Sequence, residues 1–185
     1  KNIKFERVPW YKDALIIKNA NEKAIQKLDI YEKGYIYLQS LSSMVPPIVL
    51  NPKAGEKILD LTAAPGSKTT QLAGIMNNEG YILANELDKI RCERLKHNVE
   101  VQGATIVEVI NSRGEKLGET YENYFDKVLL DTPCSGEGRF LAYSSATYRD
   151  WSLKTVNQLT KLQRKLFDSA YKAVKTGGTI VYSTC

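Results

Sequence analysis

Histidine is nearly missing from this 185-residue chain: there is one, His97, and only three cysteines, Cys92, Cys134 and Cys185. A single imidazole excludes triads and metal sites built on several histidines. Cysteines so far apart match neither the paired spacing of a zinc site nor a disulfide scaffold. No apolar run approaches the ~20 residues that span a bilayer. The opening KNIKFERVPWYKD has no apolar signal-peptide core. With 43% hydrophobic and 25% charged residues, the composition is that of an ordinary soluble domain. These absences predict a cytoplasmic protein with no membrane partner and no metal, whose chemistry falls to Cys, Asp, Glu or Lys.

The net charge of +5 is uneven, since residues 1–54 hold nine Lys and Arg against five Asp and Glu. A basic amino-terminal third suits a surface that faces nucleic acid, although simple solvation explains it equally well. In this third, DALIIKN reads as a strand and NEKAIQKLD as a short helix. GYIYLQSLSSMVPPIVLNPKAGE reads as a strand, a helix and then a linker with prolines. Residues 1–50 are expected to be a partial amino-terminal segment of α+β character, the stub of a larger RNA-binding or linker domain.

From Lys57 the pattern alternates. KILDL (57–61), GYILANE (80–86), TIVEVIN (105–111), DKVLLD (126–131) and TIVYST read as five strands. Between them, Thr69–Met76, Asp88–Gln102 and Thr155–Lys175 show helical apolar spacing, and Gly103 and Gly177-Gly178 stop the last two. Strands alternating with helices predict an α/β fold with a mostly parallel sheet covered on both faces. Such sheets bind ligands beyond the carboxyl ends of their strands. Asp60, Glu86, Asn111, Asp131 and Cys185 all fall at or just past those ends.

The turn after the first of these strands, DLTAAPGSKTT, decides among ligands. Its one glycine excludes the G-x-G-x-x-G of dinucleotide folds. It is no phosphate-binding loop either, since Ser67 separates Gly66 from Lys68 and Leu61 stands where the first glycine belongs. What remains is a small-residue turn, Ala63-Ala64-Pro65-Gly66, opening a helix whose free N–H groups suit a carboxylate, with Lys68 nearby. Glu86 stands where an acid grips a ribose. Carboxylate, ribose and adenine together describe S-adenosylmethionine, while an ordinary structural turn is the alternative for AAPG.

Four segments carry a family likeness. ILDLTAAPGSKTTQLA, ILANELDKIRCERLKHN, FDKVLLDTPCSGEGRF and GGTIVYSTC closely resemble, in order, motifs of the Sun/Nop-type RNA cytosine-5 methyltransferases. The bacterial enzymes that modify 16S ribosomal RNA are nearest, and the resemblance runs from about Gly34 to Cys185. It implies a Rossmann-like S-adenosylmethionine-dependent domain over residues 51–185, truncated after its fifth strand. It also implies a cofactor loop of Thr62, Ala63, Ala64, Pro65, Gly66, Ser67 and Lys68, with Glu86 on the ribose. Asn111 stands where the family usually has an Asp near the adenine; Thr62 and Ser67 are further, tolerable departures.

The same resemblance makes Cys185 the thiol that attacks carbon 6 of cytosine and Cys134 the one that helps release the product. Asp131 would face the base and the methyl donor, protonated or hydrogen-bonded at ring nitrogen 3. In DNA cytosine methyltransferases the nucleophile follows a proline, as Cys134 does, so the residues alone leave the two roles interchangeable. Cys92 shares an apolar stripe with Leu95 and Val99 and reads as core; His97 falls off that stripe and has no role. Arg139, Tyr143, Tyr148, Arg149 and Trp151 follow Cys134 in a loop suited to RNA. The partner expected is RNA, ribosomal before transfer, and the chain is expected to be a monomer. A non-catalytic RNA-binding module with the same fold is the alternative, and methylation of an exocyclic amine is disfavoured because DTPCSG lacks the Pro-Pro-aromatic loop.

Overall fold

Strands that are apolar on both sides can be buried only in a sheet covered on both faces. The structure, a computed structural model describing residues 2–184, places them in one. The chain divides into two compact units, Lys1–Leu38 and Gln39–Cys185.

In the first unit, β1 (Phe5–Arg7) and β2 (Leu15–Ile17) pair antiparallel with Glu6 opposite Ile16. Two short helices follow, α1 (Glu22–Gln26) and α2 (Asp29–Glu32). Asn21 caps α1, its side chain accepting from Ala24 N at 3.0 Å. Val8, Ala14 and Ile25 are buried. The strand expected after Gly34 does not form. A strand needs a ladder partner for its polar backbone; here Tyr35 N donates locally to Ile30 O at 2.9 Å.

The second unit opens with α3 (Leu41–Leu50), capped by Ser40, whose hydroxyl accepts from Ser43 N. The prolines expected in a linker, Pro46 and Pro47, lie inside this helix. Interior prolines cost a helix a backbone donor. Tertiary contacts offset that cost: Pro47 and Leu50 are buried, α3 packs on the sheet, and Gln71 Nε2 donates to Met44 O at 3.0 Å.

The sheet comprises β3 (Lys57–Asp60), β4 (Tyr81–Asn85), β5 (Val107–Ile110), β6 (Phe125–Asp131) and β7 (Val174–Ser183), in spatial order β5-β4-β3-β6-β7 with every pair parallel. Four helices run between them: α4 (Ser67–Ile75), α5 (Lys89–Val101), α6 (Gly114–Thr120) and α7 (Leu153–Ala173). Alternate strand residues serve opposite layers. Ile58, Ile82 and Leu129 join Leu72, Met76 and Leu95 beneath α3, α4 and α5. Leu59, Leu83, Val128 and Leu130 join Leu117, Leu166 and Ala170 beneath α6 and α7. The expected α/β fold with a parallel sheet is the one observed.

Two details depart from expectation. The short helix α6 was not anticipated, because SRGEKLGET offers one large apolar residue and two glycines. The final strand begins at Val174 rather than near Thr179, since its register slips between Phe125↔Val174 and Lys127↔Thr179. Gly178 permits this irregularity: a Cβ there would lie 2.6 Å from Asp126 O.

Candidate active site

Parallel register brings the strand ends to one edge. Asp60 and Asp131 are the last residues of β3 and β6, while Glu86 and Asn111 directly follow β4 and β5. Cys185 follows β7 in sequence and lies outside the described residues. Beyond this edge opens a cavity of about 800 Å³. Thr62, Ala64, Glu86, Asp131 and Cys134 line it; Asn111 does not. Sequence reasoning missed several wall residues: Asn85, Gly114, Glu115, Leu162 and Leu166. Asn85 did carry a signal, being a polar residue closing the apolar run YILA; Leu162 and Leu166 belong to the helical apolar spacing of residues 155–175, which does not set them apart from their neighbours.

The turn from β3 into α4 is held from three sides. Ala63 N donates to Asn85 O at 2.8 Å, Arg91 Nη2 to Ala64 O at 2.9 Å, and Asn98 Nδ2 to Pro65 O at 2.7 Å. The Ala64–Pro65 peptide is cis. Gly66 caps α4 at φ +111, a conformation that favours glycine. Ala63 and Gly66 are buried, Pro65 is exposed, and neither these three nor Ser67 lines the cavity. Asn85 is itself buried and bridges the strand ends, giving Nδ2 to Leu61 O at 3.1 Å and accepting from Ser112 N at 3.1 Å.

Glu86 is 5% exposed. Its Oε1 accepts from Asp88 N at 2.9 Å, and Oε2 lies 3.4 Å from Arg91 Nη1. Each carboxylate oxygen has a second lone pair for a ligand hydroxyl. Asn111 holds the backbone of this turn, its Nδ2 donating to Glu86 O at 2.7 Å and Leu87 O at 2.8 Å.

Asp131 is fixed at both oxygens. Lys68 Nζ pairs with Oδ2 at 2.7 Å, and Ser183 Oγ donates to Oδ1 at 2.7 Å. Thr62 Oγ1 donates to the Asp131 backbone carbonyl, also at 2.7 Å. Behind them, Asp60 is fully buried and accepts from Thr69 Oγ1 at 2.7 Å. Burial pushes its carboxyl up to about 6, opposed by the Thr69 hydroxyl and the Lys68 charge and reinforced by Asp131.

After β6 the chain runs through Pro133 and Cys134 into a loop braced by its own side chains. Ser135 Oγ and Trp151 Nε1 both donate to Glu137 Oε1, at 2.6 and 2.8 Å. Phe140 packs against Tyr148 and edge-on to Trp151. Gln163 Nε2 of α7 donates to Pro133 O at 2.8 Å. Arg139 reaches the cavity lining, while Tyr143 is 86% exposed. Cys92 is buried in the core and His97 is exposed. Among the described residues no group of three or more His, Cys, Asp or Glu side chains is arranged to hold a metal ion, and no helix is long and apolar enough to cross a membrane.

Comparison with known proteins sets this geometry in a family. The chain is 42% identical to a tRNA (cytosine(49)-C(5))-methyltransferase of Pyrococcus abyssi, over 100% of its length and 59% of the relative's. It is also 42% identical to ribosomal RNA small subunit methyltransferase F of Shewanella oneidensis, over 98% of its length and 38% of the relative's. The chain thus spans between about two-fifths and three-fifths of these relatives. Among solved structures, NSun6 from Pyrococcus horikoshii with SFG superposes with a TM-score of 0.77 at 35% identity, covering 86% of this chain and 40% of that one. A methyltransferase homolog protein from the same organism gives a TM-score of 0.82 at 35% identity, covering 100% and 57%. Residues 47–185 match the family described as 16S rRNA methyltransferase RsmB/F, and the chain belongs to that family.

Proposed function

We propose that this chain is part of an S-adenosylmethionine-dependent enzyme that methylates carbon 5 of a cytosine in RNA, with 16S ribosomal RNA favoured as substrate. The observation that carries this reading is the Asp131 carboxylate, held by Lys68 and Ser183 beside Cys134, at a cavity that Glu86 also lines. Residues 51–185 form the catalytic part in this reading, and residues 1–50 add RNA contacts.

The residues present fit the cofactor. A cavity of about 800 Å³ falls in the usual range for small-molecule sites, roughly 300–1,000 Å³. Leucines 61, 162 and 166 give it apolar wall, and the buried Glu86 carboxylate can accept from paired ribose hydroxyls. Thr62–Lys68 form the turn that holds the cofactor, with Asn111 beside the Glu86 turn. When bound, the cofactor supplies an electrophilic methyl group on a sulfonium centre.

Carbon 5 of cytosine is a poor nucleophile, because the ring is aromatic and uncharged. The Cys185 thiolate adds to carbon 6, forming the C6–S bond while the ring π electrons move toward carbon 5 and nitrogen 3. One hard step becomes two easier ones. Nitrogen 3 takes a proton from water as this charge builds, and Asp131, ion-paired to Lys68, accepts hydrogen bonds from that N–H and from the exocyclic amine. After carbon 5 is methylated, water takes its proton, the C5–H electron pair forms the C5–C6 double bond, the C6–S pair leaves on the Cys185 sulfur, and nitrogen 3 returns its proton to water. Cys134 assists this release. The target base must leave its stack to reach the thiol; in this reading Arg139, Tyr143 and Tyr148 receive the flanking RNA, as cations and aromatic faces do elsewhere.

The test is a covalent trap. RNA containing 5-fluorocytosine blocks proton removal, so the adduct accumulates and is read on a denaturing gel with S-adenosylmethionine present. Loss of adduct only in Cys185→Ala supports the roles given; loss only in Cys134→Ala reverses them. No adduct in any variant, with cofactor binding confirmed, replaces the reading with a non-catalytic RNA-binding module. The tRNA-modifying relative, as similar as the ribosomal one, makes transfer RNA the second substrate to try.

A further inference from the structure

Three consecutive residues at the end of β5 hold the turn that presents Glu86. Ile110 O accepts from Glu86 N at 3.1 Å, and Ser112 N donates to Asn85 Oδ1 at 3.1 Å. Between them, Asn111 Nδ2 donates to Glu86 O at 2.7 Å and to Leu87 O at 2.8 Å. An amide nitrogen has two hydrogens, and both are engaged by these carbonyls. The assignment of nitrogen and oxygen follows from the partners, since a flipped amide would set its oxygen against two carbonyl oxygens. The side chain does not line the cavity.

We propose that Asn111 is a positioning residue, whose amide latches the Glu86–Leu87 backbone and so aims the Glu86 carboxylate at the ribose hydroxyls of the bound cofactor. This rests on the cofactor reading above. Glu86 Oε1 is tied to Asp88 N one step along the same turn, so a backbone shift at 86–87 moves the carboxylate with it. The latch requires an amide. An aspartate at 111 would be nearly isosteric, yet it would present two acceptors to two carbonyls and repel the turn it replaces. Asn111→Asp should therefore be more damaging than Asn111→Ala, although an acid is the residue expected at an adenine contact.

The experiment measures binding of S-adenosylhomocysteine and of its 2′-deoxy analogue to the full chain by calorimetry, alongside amide hydrogen exchange of residues 86–88 without ligand. Wild type should prefer the ribose form. Losing two hydrogen bonds to a ligand-bearing turn should weaken S-adenosylhomocysteine about fivefold in Asn111→Ala and about tenfold or more in Asn111→Asp. In both variants the preference for the ribose form should shrink toward that of Glu86→Gln, and exchange at 86–88 should quicken. A merely structural role would weaken both ligands equally and leave the preference intact. Unchanged preference, or Asn111→Asp binding as tightly as wild type, overturns the latch. If wild type binds neither ligand, the cofactor reading fails and the aiming role fails with it. Exchange at 86–88 reports on the latch separately, and an unchanged rate in both variants overturns it.

Discussion

Gly118 and Gly74 are both helical glycines, and the structure assigns opposite signs to the same substitution at the two positions. Alanine exceeds glycine in helix propensity by about 1 kcal/mol, so propensity alone predicts that both alanine variants gain stability. On α4, a Cβ at Gly74 meets nothing within 4 Å and the position is exposed. Gly74→Ala should therefore gain most of that ~1 kcal/mol. On α6, a Cβ at Gly118 would lie 2.3 Å from Ser169 O, 2.8 Å from its Cα and 2.9 Å from its carbonyl carbon. These are backbone atoms of α7 that no rotamer change can move. Ordinary contact begins near 3.4 Å, so α6 and α7 must separate by about 1 Å to admit the methyl group. That separation also stretches the buried Ser169 hydroxyl, which accepts from Gly118 N at 2.8 Å and donates to Gly114 O at 2.7 Å.

Overpacking costs about 1–3 kcal/mol, and the upper end applies when backbone must move. Less the propensity gain, Gly118→Ala should lose about 2 kcal/mol. For a chain of this length that lowers the melting temperature by roughly 4–8 °C, while Gly74→Ala raises it by roughly 1–4 °C. Thermal melts followed by circular dichroism, checked by urea titration, measure both. A Gly118→Ala protein melting at or above wild type would refute the close packing of α6 on α7. The cavity walls at Gly114 and Leu166 would then need another explanation, because that packing sets them.

Asp60 makes stability depend on pH with a definite sign. Its folded value, raised to about 6 from 3.8, means that the folded state binds the extra proton between those values, so the Asp60 contribution falls as pH rises from about 4 to 6. The stability of Asp60→Asn relative to wild type should therefore rise between pH 4 and pH 7 by an amount on the order of 3 kcal/mol; a constant difference in urea midpoints would show that Asp60 does not titrate in that window. Lys68→Met removes a charge-assisted bond to Asp131 worth about 1.5–3 kcal/mol, so trapped adduct should form at least about tenfold more slowly, with Ser183→Ala showing a smaller loss of the same kind. Equal rates in both variants would separate Asp131 from the chemistry. Trp151→Phe deletes the indole donor to Glu137 while keeping an aromatic ring, so trypsin should cut faster at Arg139 and Arg149 with the global melt nearly unchanged; equal cleavage rates would mean the bond does not brace the loop.

Local pattern sufficed where burial is decided by neighbours in sequence. The apolar runs of β3, β4 and β6 and the stripe Cys92, Leu95, Val99 of α5 announce themselves, because a two-sided sheet and a half-buried helix each impose a simple period. It failed where distant contacts override propensity. Pro46 and Pro47 stay in a helix because Pro47 is buried and α3 packs on β6 and β7. Residues 114–120 form a helix because glycine at 118 lets α6 sit directly on Ser169, fifty-one residues later. Of the cavity, the polar strand ends were legible, but its leucine wall was not, since Leu162 and Leu166 share the apolar stripe of α7 with purely structural residues.

By itself, the amino-acid order determined the five strands of the sheet and the helices α4, α5 and α7 between them, the polar residue closing each strand and the small-residue turn before α4, for these are properties of short stretches. Tertiary structure alone decided what those polar residues do. Lys68 and Asp131 are far apart in the chain, as are Asn111 and Glu86, and only the parallel register of β5, β4, β3 and β6 sets their partners at 2.7 Å. A side chain's charge is written in the sequence. Its hydrogen-bond partner is chosen by the fold, because the cost of a buried polar group left unpaired makes one arrangement prevail over the others.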